Sequence, residues 1–317
     1  MLLEIRDLKV IFHTIRGMVR AVNGVDLMLN QGEIIGLVGE TGSGKTVTGL
    51  SILRLLDQNA EIIDGKIIFD GRDLLKLPMN EMLKIRGKEI SMIFQEPKAA
   101  LNPVIPVGDQ VAESFMVHER ITKSEAKKRV IEMFNRVELP DPERIYKSYP
   151  HELSGGMAQR VVISMALALR PKLLIADEPT SALDVTIQAQ IMDLFKELVR
   201  QFKTSVIYIT HDMALAAEIS DKIAVMYAGR IVEVAKTEEI FEEPLHPYTK
   251  GLLRSIPDVK RRVKTLFSMP GEIPSMLNPP PGCLFHPRCP DKMEICERKV
   301  PVLKKVDGHE VACFLYG

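Results

Sequence analysis

The chain of 317 residues is 46% hydrophobic and 26% charged, a composition that supports a sizeable core and excludes disorder, collagen-like repeats and a disulfide-dense scaffold. Its 42 Lys plus Arg residues balance 42 Asp plus Glu residues, so no global positive field draws it to nucleic acid. The length alone predicts about two domains.

In chain order, Leu2 to Val10 and Val19 to Leu29 alternate apolar and polar residues, which predicts half-exposed antiparallel strands. Ile34 to Val38 is a short, wholly apolar run that reads as a buried strand. It leads into Gly39-Glu-Thr-Gly-Ser-Gly-Lys-Thr46, followed by the helix-like run Val47 to Leu56. This is the phosphate-loop pattern G-x-x-x-x-G-K-[ST] in its strand-to-helix context. The glycines let successive backbone N–H groups turn inward around phosphate oxygens, and the helix N-terminus adds partial positive charge. Gly39, Glu40, Thr41, Gly42, Ser43, Gly44, Lys45, Thr46 and Val47 are the candidate ATP contacts, with Lys45 reaching the β- and γ-phosphates and Thr46 holding Mg²⁺.

Gly65 to Gly71 reads as another strand, and residues 104 to 148 are rich in helix formers, which predicts a helical insertion. Leu153-Ser154-Gly155-Gly156-Met157-Ala158-Gln159 precedes the helix-like run Arg160 to Leu169, so Ser154 and the two glycines form a second anion-binding helix start. The apolar strand Leu173 to Ala176 ends in Asp177 and Glu178. Asp177 is placed to bind the Mg²⁺ shell, and Glu178 to take the proton of an attacking water. Val206 to Ile209 is a third buried strand, followed by Thr210 and His211. Ile223 to Glu233 reads as two strands joined at Ala228 and Gly229, after which the prolines crowd together.

All four cysteines, Cys283, Cys289, Cys296 and Cys313, lie in this proline-rich tail. Four thiolates suit tetrahedral Zn²⁺ or a [4Fe–4S] cluster by ligand count, with His286 and His309 as spare ligands. The usual zinc spacing has C-x2–4-C pairs, which this tail lacks. The longest apolar run, Val161 to Leu169, falls short of the roughly 18–20 residues that span a bilayer. The N-terminus carries no basic stretch and apolar segment of a secretory signal, so a cytoplasmic chain is expected, where stable disulfides are disfavoured.

Two anion-binding helix starts serve one nucleotide only if something brings them together. The signature Leu153-Ser-Gly-Gly-Met-Ala-Gln159, the phosphate loop and the Asp177-Glu178 strand stand in the order of the ABC ATPase family, which the chain resembles. That resemblance implies a P-loop NTPase (RecA-like) α/β core with an antiparallel β-subdomain and a helical subdomain over about residues 96–165. It implies a head-to-tail dimer in which Ser154, Gly155, Gly156, Gln159 and Asp184 of one subunit cap the ATP of the other. Gln95 then matches the Q-loop glutamine near Mg²⁺, Ser181 to Asp184 the D-loop, and His211 the switch histidine. Phe12 or Arg16 is left to stack on adenine.

The tail, from Phe241-Glu-Glu-Pro-Leu-His246-Pro-Tyr248 through Pro280-Pro-Gly-Cys283-Leu-Phe-His286-Pro-Arg288-Cys289, resembles that of oligopeptide and dipeptide importer ATPases. The resemblance implies a nucleotide-binding domain over 1–240 and an extension over 241–317 whose four cysteines hold [4Fe–4S] in preference to zinc. The implied partners are two transmembrane permease subunits, a related second ATPase or a second copy, and an extracytoplasmic solute-binding protein. The permease is expected at Ala99 to Val107, and the chain at the cytoplasmic face of the membrane. The alternatives are an importer ATPase for another solute such as nickel, or a soluble ABC ATPase working on DNA or ribosomes. Zero net charge and a single cassette disfavour the latter.

Overall fold

The computed structural model describes residues 1–181, 183–256, 267 and 269–317. The chain divides into two compact units, Met1–Asn30, Ile34–Lys76 and Tyr208–Gly317 in the first, and Gln31–Glu33 with Leu77–Ile207 in the second.

The first unit opens with a long hairpin, β1 (Leu3–Thr14) and β2 (Gly17–Leu29), whose alternating apolar residues bury one face. β3 (Ile34–Val38) is buried at every residue, as its unbroken apolar run requires. It feeds α1 (Lys45–Leu53). β4 (Ala60–Phe69) and the short β5 (Arg72–Asp73) then complete an antiparallel sheet in the order β2-β1-β4-β5.

The second unit begins with α2 (Met79–Ile85) and β6 (Ile90–Ile93), a buried strand too short to announce itself in the sequence. The helical insertion follows as α3 (Val107–Glu119), α4 (Lys123–Arg136) and α5 (Pro142–Lys147). Thr122 caps α4 by accepting from the Glu125 N–H, and Asp141 caps α5 ahead of Pro142. α6 (Gly155–Leu167) leads into β7 (Leu173–Asp177), which pairs in parallel with β6. α7 (Val185–Phe202) buries Ile191, Leu194, Phe195, Leu198 and Val199 along one helical stripe.

β8 (Ser205–Thr210) returns the chain to the first unit, where α8 (Met213–Ile219) precedes β9 (Lys222–Tyr227) and β10 (Arg230–Lys236). β9 pairs in parallel with β3 and antiparallel with β10 across the predicted turn at residues 228–229. The tail carries more regular structure than its prolines suggest. After α9 (Thr237–Glu242) and α10 (Pro247–Arg254), a hairpin of β11 (Lys304–Val306) and β12 (His309–Val311) adds to the sheet through β12 against β10.

Residues 241–317 share their unit with the N-terminal strands, and they share its core. Tyr248, Met276, Leu284 and Phe285 are buried in one cluster with Val38, Val225 and Tyr227. A fully buried carboxylate, Glu233 in β10, also ties the tail down. It accepts from the N–H of Leu245 at 2.8 Å and of His246 at 3.0 Å, and from His309 Nδ1 at 2.9 Å. Burying a polar group is tolerable only when its hydrogen-bonding atoms are satisfied in this way.

Candidate active site

In the first unit the phosphate loop runs from the end of β3 to the start of α1 and demands glycine where backbone closes on it. A Cβ at Gly39 would lie 2.1 Å from the Met226 carbonyl oxygen. One at Gly44, whose φ is +103°, would lie 2.5 Å from that of Ala21. Lys45 is buried, and its Nζ donates to the carbonyls of Gly39 at 2.7 Å and Glu40 at 3.1 Å, which folds the ammonium over the loop. Thr41, Gly42 and Thr46 are exposed, Val47 is half-buried, and Ser43 is buried. The result is an open cradle of backbone around a lysine at a helix N-terminus, suited to a polyphosphate.

In the second unit Asp177 ends β7 and is buried, while the next residue, Glu178, is half-buried with φ +45°. A non-glycine residue in the left-handed region is strained, which is frequent where a side chain must be aimed. Gln95, exposed two residues beyond β6, donates from Nε2 to Glu178 Oε2 at 3.0 Å. Ser154 caps α6, its Oγ accepting from the Met157 N–H at 3.3 Å, and is exposed together with Gly155. Gly156 lies against α7, where a Cβ would come within 2.9 Å of Ile187.

A family model described as ABC transporter matches residues 22–181, and one described as oligopeptide/dipeptide transporter, C-terminal region, matches 232–296. The chain belongs to the ABC transporter family. It is 48% identical to the oligopeptide transport ATP-binding protein AppD of Bacillus subtilis (strain 168), covering 99% of this chain and 97% of the relative. It is 49% identical to the dipeptide transport ATP-binding protein DppD of the same organism, covering 99% and 94%. To the oligopeptide transport ATP-binding protein OppD of Escherichia coli (strain K12) it is 48% identical, covering 99% and 93%. Among solved structures it resembles the ATP-binding cassette MJ0796, reported as a dimer in a post-hydrolysis state bound to ADP and Pi. The TM-score is 0.67 at 28% identity, covering 74% of this chain and 99% of that one. The P-loop NTPase fold of an ABC cassette is therefore that of this chain.

The remaining residues expected of an ABC ATPase fall as follows. His211 is exposed just after β8, in the first unit. Phe12 is half-buried in β1, and Arg16 is exposed in the turn between β1 and β2. Asp184 is exposed at the start of α7, Ser181 Oγ donates to the Glu178 carbonyl at 3.1 Å, and Ala182 lies outside the described residues. Gln159 is the other residue expected to contact the nucleotide in trans. It is 0% exposed, and among the described residues neither polar atom of its amide has a hydrogen-bond partner. Val104 and Ile105, within the expected permease contact, are exposed. Among the described residues no helix is long and apolar enough to cross a membrane.

The structure lends no support to the expected four-cysteine metal site. Among the described residues no group of three or more His, Cys, Asp or Glu is placed to hold a metal ion. Zinc requires three or four protein ligands converging on one point, and these cysteines do not converge so. Burial is the main cause that raises Cys283 and Cys313 above the ordinary thiol value and pushes Cys289 up to about 11. The four are nevertheless neighbours: Cys283 feels Cys296 and Cys313, and Cys289 feels Cys283 and Cys313. Mg²⁺ is a different case. With a nucleotide it draws most ligands from water and phosphate and only one or two from protein, so it needs no dedicated protein cage.

Sequence reasoning overlooked two residues at this site, Tyr248 and Arg288, and the anchor of the tail, Glu233. The Glu40 N–H donates to Tyr248 Oη at 3.0 Å, and Arg288 pairs with the Glu40 carboxylate at 2.8 Å. A charged residue inside the apolar strand Ile231-Val-Glu-Val-Ala235 was the available signal for Glu233.

Proposed function

We propose that the chain is the ATP-binding and ATP-hydrolysing subunit that powers import of dipeptides or oligopeptides through a membrane permease. The observation that carries this reading is Glu178, aimed by strained backbone at the end of β7 and bonded to Gln95, in a chain matching peptide-transport ATP-binding proteins over 99% of its length. In this reading Lys45 and backbone N–H groups within residues 39–47 bind the triphosphate, and Phe12 or Arg16 stacks on the adenine. Thr46, Asp177 and Gln95 would hold Mg²⁺, which when bound offsets phosphate charge. Glu178 takes the proton of the attacking water as general base, and His211 positions the γ-phosphate. Ser154, Gly155, Gly156 and Asp184 of a second ATPase chain close over the nucleotide, while Gln159 supports that signature from inside α6.

The partners in this reading are two permease subunits, a related ATPase or a second copy, and an extracytoplasmic binding protein that delivers the peptide. The chain works peripherally at the cytoplasmic face, with permease helices seated at residues 99–107. Exposure of Val104 and Ile105 supports that seat. Cys283, Cys289, Cys296 and Cys313 would hold a [4Fe–4S] cluster, whose ligands attach to separate irons and so need mutual proximity more than a single point of convergence. It would act as a cross-link that offsets the ordering entropy of the tail.

The test is reconstitution of the chain with its permease and second ATPase in proteoliposomes, measuring phosphate release and dipeptide uptake. Glu178→Gln should lower turnover by about 10²–10⁴-fold while ATP stays bound. Undiminished turnover would remove Glu178 from its role, and uptake of nickel but not of peptides would overturn the solute. Anaerobic purification should yield near four irons and four sulfides per chain. Zinc or no metal would overturn the cluster and leave the ATPase reading intact.

A further inference from the structure

Glu40, the second residue of the phosphate loop, is gripped from three directions. Its carbonyl accepts from Lys45 Nζ inside the loop. Its N–H donates to the Tyr248 hydroxyl at 3.0 Å, and its carboxylate receives both terminal nitrogens of Arg288, Nη1 to Oε2 at 2.8 Å and Nη2 to Oε1 at 3.2 Å. Tyr248 and Arg288 both belong to the tail, and all these residues lie in the first unit.

The grip is built into the core. The Arg288 side chain is 3% exposed, against 32% for Glu40, and its Nε donates to the Pro270 carbonyl at 3.0 Å. The guanidinium lies over the Tyr227 ring at 5.8 Å, and Tyr227, Tyr248 and Phe285 pack against one another with ring centroids 4.6–5.5 Å apart. Burial works against the Arg288 charge, but Glu40 and the Tyr227 hydroxyl outweigh it and hold the guanidinium firmly protonated. A bidentate arginine–carboxylate pair of this kind fixes orientation as well as charge.

We propose that the C-terminal tail is a positioning element for nucleotide binding, in which Tyr248 and Arg288 set the phosphate loop in its binding conformation and neutralise the Glu40 carboxylate beside the incoming triphosphate. The proposal rests on the reading that residues 39–46 hold the ATP phosphates. Two effects follow. A pre-set loop loses less freedom when the ligand arrives, and so binds more tightly. Without Arg288, Glu40 becomes an uncompensated negative charge in an anion site, and repels the phosphates.

The experiment is MgATP titration into the full-length chain, with KM and kcat from phosphate release. Arg288→Ala should raise Kd and KM about tenfold with kcat within about twofold, since the brace acts on binding. Arg288→Lys, which keeps the charge but loses the fork, should fall between. The decisive variant is Glu40→Gln combined with Arg288→Ala, which should recover affinity to within about threefold of the wild type because the repelling charge is gone. A merely structural role for Arg288 predicts no such recovery. Wild-type affinity in Arg288→Ala, or a double variant as weak as the single, overturns the proposal. Should Arg288→Ala fail to fold, Arg288→Lys and Tyr248→Phe serve instead, and wild-type affinity in both overturns it equally. Lys45→Ala separates the premise: unchanged affinity there defeats the loop assignment itself, whereas a large loss there beside wild-type affinity in Arg288→Ala defeats only the brace.

Discussion

Replacing Glu233 should detach the tail from the sheet that carries it. The carboxylate is fully buried and satisfies two backbone N–H groups, of Leu245 and His246, together with His309 Nδ1. A carboxylate only accepts, so the facing histidine nitrogen carries a proton in this pair. Glu233→Ala leaves three donors without an acceptor, at about 1–3 kcal/mol for each buried group. Water entering the hole relieves part of this, so about 3–5 kcal/mol is expected, a large share of the roughly 5–15 kcal/mol that stabilises a typical protein. Glu233→Gln keeps one oxygen but turns an amide N–H toward a donor, and should cost about 1–3 kcal/mol. Urea unfolding followed by circular dichroism measures the loss, and hydrogen exchange at the Leu245 and His246 amides locates it. Glu233→Ala within about 0.5 kcal/mol of the wild type would refute the claim that this residue anchors the tail.

Three further outcomes are expected. His246 is fully buried and caps α10 by accepting the Tyr248 N–H, and burial, with Lys250 nearby, pushes its pKa down to about 3 from 6.5. The folded state therefore binds fewer protons than the unfolded one between those values, so stability is full above about pH 6.5 and is lost as pH falls toward 3. At pH 5 the loss is about 2 kcal/mol, and His246→Asn, which keeps a capping acceptor, should flatten the slope of urea midpoints between pH 7 and 5. Gly44→Ala forces a Cβ to 2.5 Å from the Ala21 carbonyl at φ +103°, so it should cost about 2–4 kcal/mol in the same unfolding assay and abolish MgATP binding. Gln95→Ala removes one hydrogen-bond partner of Glu178; phosphate release should fall about tenfold or more while the Kd for MgATP changes little, and an unchanged rate would show that Glu178 needs no such support.

The phosphate loop, the Asp177-Glu178 pair and the Ser154 cap were legible in the sequence because each is contiguous: a few adjacent residues carry both the turn chemistry and the ligand chemistry. The buried strands at Ile34–Val38 and Leu173–Asp177 were legible for a related reason, since a strand covered on both faces has no polar position to interrupt its apolar run. β6, with four residues, was too short for any period to show, and Lys304–Val306 reads as polar coil until β12 offers it a partner. The proline count argued against a tail of long helices, but it said nothing about what the tail would grip.

The sequence by itself determined the chemistry of the site, because phosphate binding by backbone N–H groups at a helix start is a local property of eight residues. Only the tertiary structure decided that Arg288 and Tyr248 reach Glu40, that Glu233 pins the tail, and that Gln159 is buried in α6. Each of these is a matter of which distant groups share a small volume. That depends on core packing and on satisfying buried polar groups across the whole unit, and no short stretch of chain encodes it.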